Sequence, residues 1–93
     1  MSVEADRRLL EGLVVSLLSH RASDASMCPS EVARAAEPED WRALMPAVRA
    51  AAAGLAAARV IEVTQKGEVV SLDGSARGPL RLRRGPSWPR ARG

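Results

Sequence analysis

Aromatic residues are almost missing: the 93-residue chain holds two tryptophans and neither tyrosine nor phenylalanine. Its core must therefore be aliphatic. Cysteine is as scarce. Cys28 stands alone, which excludes an internal disulfide and the disulfide-stapled secreted scaffolds. With His20 as the single histidine, Cys28 and His20 are too few for a four-coordinate zinc site, and no spacing of Asp or Glu suggests that they complete one. The longest apolar stretch, Ala50 to Ala58, is too short and too rich in alanine to span a bilayer. No charged-then-apolar leader with a cleavage site opens the chain, so a cytoplasmic protein is the expectation. Neither a dinucleotide fingerprint nor a phosphate loop occurs. No cofactor is expected.

What is present is a hydrophobic fraction of 46% with 27% charged residues, the balance of one globular domain. The net charge of +3 conceals an asymmetry. Residues 77–93 carry six arginines and no acid, whereas residues 1–76 are mildly acidic. A block of one sign seeks polyanions or is a solvated tail.

Leu9, Leu10, Leu13, Val14, Leu17 and Leu18 recur at helical spacing and predict a first helix ending near Ser19 to Arg21. His20 to Met27 reads as a loop. A short helix follows from Glu31 to about Ala36, with Ser30 as its cap and Glu31 and Arg34 as a surface pair. Pro38 and Pro46 punctuate what comes next, predicting a short helix at about 38–44 and a longer one from Pro46 to Ala58. Trp41 and Leu44, three apart, point inward together. After Arg59 the period becomes two. Val60 to Gln65 and Glu68 to Leu72 read as strands joined by the two-residue turn Lys66-Gly67. Leu80 and Leu82 alternate with Arg81 and Arg83 in a third strand with an arginine face. We place a domain at residues 1–84 and a disordered basic tail at 85–93.

Three helices followed by a hairpin and a basic strand form the layout of a winged helix-turn-helix, an α+β class in which a small sheet covers the open apolar edge of the helices. Four blocks carry a further resemblance: Cys28-Pro29-Ser30-Glu31-Val32-Ala33-Arg34, Trp41-Arg42-Ala43-Leu44-Met45-Pro46-Ala47-Val48-Arg49, Val63-Thr64-Gln65-Lys66-Gly67 and Arg77-Gly78-Pro79-Leu80-Arg81. Over roughly residues 3–84 the chain resembles a small bacterial family known as domain of unknown function 3253. The resemblance implies a winged-helix-like fold and a bacterial cytoplasmic protein, and it supplies no activity. One position departs from it: a glycine is expected near the end of the long helix, where this chain has Arg59.

In such folds the third helix often enters the major groove while the wing lies along phosphates. The candidate nucleic-acid contacts are then Arg42 and Arg49 on the third helix, Lys66 at the wing tip, and Arg77, Arg81 and Arg83, with Arg84 following, beyond it. The third helix otherwise lacks the long polar side chains that read base edges, so weak, nonspecific binding is expected, to DNA rather than RNA. The plain alternative is that Arg42 and Arg49 pair with Glu37, Glu39 or Asp40. A second reading is a protein-docking adaptor that uses the small face of Ala50, Ala53, Gly54 and Ala57, unless that face packs on the protein's own elements. Catalysis is not expected: Cys28 precedes a helix N-terminus but has only His20 as a base, and a cysteine in a small domain usually behaves as a buried hydrophobe.

Overall fold

A computed structural model describes residues 3–71 and 79–88. Helix α1 (Val3–Ser19) is followed by strand β1 (Ser26–Met27), helices α2 (Pro29–Ala36) and α3 (Trp41–Ala57), and strands β2 (Ile61–Gln65), β3 (Glu68–Val69) and β4 (Arg81–Arg84). The strands form one antiparallel sheet in the order β1-β4-β2-β3. Three helices on this sheet make an α+β structure in a winged-helix-like arrangement.

The core is aliphatic, as the missing aromatics require. Leu10, Val14 and Leu18, each four residues apart, are the fully buried positions of α1. Leu9 belongs to the same sequence stripe but lies at its edge and is 66% exposed. Val32 and Ala33 of α2, and Val48, Ala51, Ala52 and Leu55 of α3, close on Ile61, Val63, Leu80 and Leu82. Across the sheet, Met27 opposes Leu82, which opposes Val63, so these three share the core-facing row. The alternating row, Ser26, Arg83 and Glu62, faces away from the core.

Four expectations need correction. The expected break at Pro46 is absent, because α3 runs through it without interruption. Proline removes one amide, the one that would bond to the Arg42 carbonyl, and its ring sits on the exposed side. Burial of Trp41, Leu44, Val48, Ala51 and Leu55 keeps the helical spacing on both sides of it. The cap of α2 is Cys28 rather than Ser30, with Pro29 in the first helical position, where its lack of an amide costs nothing. The presumed loop 20–27 ends in a strand, because Ser26 and Met27 pair with Arg83 and Leu82. Strand β3 ends at Val69, short of the expected Leu72: Val70 and Ser71 are not strand, and Leu72 lies outside the described residues.

The hairpin turn is as predicted. Lys66 and Gly67 both have positive φ, 53° and 85°, and Gln65 pairs with Glu68 around them. Those signs define the type I′ turn whose twist matches paired strands. Part of the assigned tail is ordered against the body. The amides of Gly85 and Ser87 donate to the carbonyls of Val60 and Arg59 at 2.9 and 2.8 Å. A Cβ on Gly85 would lie 2.5 Å from the Arg59 oxygen, so only glycine permits this approach. Residues 89–93 lie outside the described ones.

Candidate nucleic-acid interface

Helix α3 buries one side and exposes the other. Arg42 and Arg49 stand seven residues apart, hence two turns apart on one face, and both are exposed. Their expected partners do not engage them: the ion pairs among the described residues are Arg7–Glu11, Arg21–Glu31 and Arg83–Glu62. Arg42 instead lies over the Trp41 ring, its guanidinium carbon 4.6 Å from the centroid. Arg34, from the last turn of α2, approaches the same ring at 4.4 Å. Trp41 is only half-buried, and two cation–π contacts hold these arginines near the start of α3. Spacing along the helix predicts a pair between Arg34 and Glu31. In the structure Glu31 faces the other way, toward Arg21.

Lys66 is exposed at the hairpin tip. The strand arginines differ. Arg83 donates through Nε to Glu62 at 2.9 Å. Arg81 donates to the Ser26 hydroxyl at 3.0 Å and the Ser26 carbonyl at 2.9 Å. Both project from the sheet face turned away from the core, whereas α3 packs on the core side. The candidate cations are thus divided between two sides of the molecule. Arg77 lies outside the described residues.

Arg84, expected among the phosphate contacts, instead points the other way along β4. Its Nη2 donates to the carbonyls of Leu18 at 3.1 Å and Arg21 at 2.9 Å. It thereby closes the C-terminal end of α1, where a cation is favoured by the helix dipole. The Trp88 ring lies 4.9 Å away, and Nε is buried without a partner among the described residues.

The small face of α3 is not uniform. A Cβ on Gly54 would meet Glu11 Oε2 at 2.8 Å, so Gly54 belongs to the contact with α1 and leaves the proposed docking face. Ala53, Ala56 and Ala57 border an open groove of about 480 Å³ whose opposite wall is Ile61, Val63 and Val69.

Cys28 is taken up by local structure. Its amide donates to Glu31 Oε2 at 2.8 Å, one half of a capping box, and its Sγ accepts from the Ser30 hydroxyl at 3.1 Å. The bond from the Cys28 amide, followed by the Arg21 guanidinium, holds the Glu31 carboxyl below its ordinary value of 4.5. His20, just past α1, has its Nδ1 2.7 Å from the carbonyl of Ser16 in the last turn of that helix. Among the described residues no group of three or more His, Cys, Asp or Glu side chains is placed to hold a metal. Among the described residues no helix is long and apolar enough to cross a membrane.

Fold and site together define a small α+β module, winged-helix-like, with cations on an exposed helix face. The chain belongs to the family described as Protein of unknown function (DUF3253), whose model matches residues 7–85. No curated protein matches the chain.

Proposed function

We propose that the chain is a non-catalytic, cytoplasmic nucleic-acid-binding module that holds double-stranded DNA weakly and without sequence preference. The observation that carries this reading is the pair Arg42 and Arg49. Both are exposed on one face of α3 and neither has a carboxylate partner among the described residues. Arg34 and Lys66 add charge at the two flanks. Such side chains bind phosphate through Coulomb attraction and counterion release, which depend little on base sequence. Between them α3 exposes proline and alanine, which offer bases no hydrogen bonds. Arg81 and Arg83 have secondary roles here, because each already has a partner in the sheet.

Fluorescence anisotropy of labelled duplex DNA, titrated at several salt concentrations, tests the reading. The expected log-log slope is about −3 to −5, the signature of several displaced counterions. The double variant Arg42→Ala, Arg49→Ala should reduce its magnitude by about 2 and weaken all sequences alike. An unchanged slope, or no binding at low salt up to about 100 μM, would overturn it.

A further inference from the structure

The groove between α3 and the hairpin has no part in that reading. Its volume of about 480 Å³ lies within the usual span of small-ligand sites, roughly 300–1,000 Å³. Its lining side chains are mostly aliphatic, with Val69 left 58% exposed, and polar atoms are interspersed among them. Two charged residues also line it, Arg59 and Glu62. Glu62 is compensated by Arg83 at 2.9 Å. Arg59 has no ion-pair partner among the described residues. The groove therefore combines aliphatic side chains, polar atoms set among them and one uncompensated cation.

The backbone of Arg59 supplies an independent observation. Its φ of 63° is left-handed. Arg59 follows the capping residue Ala58, and the amides of Arg59 and Val60 donate to the carbonyls of Ala56 and Leu55 at 3.0 Å each. This is a Schellman ending, whose left-handed position is ordinarily glycine. An arginine there costs about 1 kcal/mol of backbone strain, and such residues concentrate at ligand sites. The same hydrogen bonds, with that from Ala58 to Gly54, engage carbonyls that would otherwise repel an anion at this helix end.

The geometry points to a binding site for a small apolar carboxylic acid, with its hydrocarbon chain against Ala53, Ala57 and Val69 and its carboxylate on the Arg59 guanidinium. The site is independent of the DNA reading, since Arg42, Arg49 and Lys66 take no part in it.

Titrating the ¹⁵N-labelled chain with octanoate, and separately with octanol, tests this by the amide shifts of Ala53, Ala57 and Val69. Octanoate is expected to bind more tightly than octanol. Arg59→Gly is the decisive variant, because it removes the cation while placing glycine where the backbone favours it, so folding is retained. It should weaken octanoate about tenfold, the loss of one charge-assisted contact, and leave octanol unchanged. Ala57→Leu, growing into the groove from an exposed position, should weaken both. Unchanged octanoate affinity in Arg59→Gly, equal affinities of the two ligands for the natural chain, or no shift of the groove amides at about 10 mM octanoate would each overturn the proposal.

Discussion

The arginines of β4 and those of α3 are the same side chain put to opposite uses. On the strand, Arg81 is tied to Ser26, Arg83 to Glu62, and Arg84 to the end of α1. On the helix, Arg42 and Arg49 have no carboxylate within ion-pair reach among the described residues. The strand is the more densely basic of the two, yet its guanidinium donors are engaged inside the molecule, that of Arg83 with a carboxylate and the others with neutral acceptors. Charge density along a sequence therefore does not locate a binding face. What locates it is the absence of an internal partner, which depends on what the fold brings near.

Stability measurements sharpen this contrast. Arg84→Ala should be the most damaging change, costing about 2–3 kcal/mol, because two carbonyls lose a charged donor and Trp88 loses its stacking partner. A thermal melt should show a loss of roughly 10 °C or more. Glu31→Gln comes next at about 1 kcal/mol, from a weakened capping box. Its sign with pH is defined. The folded-state pKa lies below the unfolded one, so the stabilisation is present above the ordinary carboxylate range and is lost as pH falls through the folded value. Melting temperature should therefore decline less steeply below pH 5 in Glu31→Gln than in the natural chain. Arg83→Ala should cost about 0.5 kcal/mol in urea titration, since its pair with Glu62 is partly exposed. Arg49→Ala should change stability least, by under about 0.5 kcal/mol, while weakening DNA. Should Arg49→Ala destabilise more than Arg83→Ala, the division between structural and free arginines breaks.

Local signals made most of the fold legible. The leucine stripe gives α1, alternation gives β2, and Lys66-Gly67 gives the turn, because each depends on residues a few positions apart. The spacing of Trp41, Leu44, Val48, Ala51 and Leu55 also marks α3 as one helix, but the proline signal overrode it. The missed features are long-range. Strand β1 is two residues long and has no period to detect. It exists because Arg83 and Leu82 arrive beside it. The role of Arg84 needs the end of α1, more than sixty residues earlier. At the candidate site, the positions of Arg42, Arg49 and Lys66 were legible, but their freedom from partners was not. Arg34 was assigned to Glu31 because i, i+3 spacing is visible in a sequence and a shared tryptophan ring is not. The expected glycine at position 59 was a sound structural demand, since the backbone there is left-handed.

The place of β4 in the sheet sets the timing of assembly. Among the described strands it is the last made, yet it sits inside, between β1 and β2. Until it arrives, β1 has no neighbour, Met27 and Val63 lack Leu82 between them, and the carbonyls ending α1 await Arg84. On the ribosome, the helices and the hairpin can form early, but the domain cannot close until Arg81 to Arg84 have emerged. A product cut short before Leu80 would keep its helical segments and lack a sealed interior, which makes it a ready substrate for quality-control proteases.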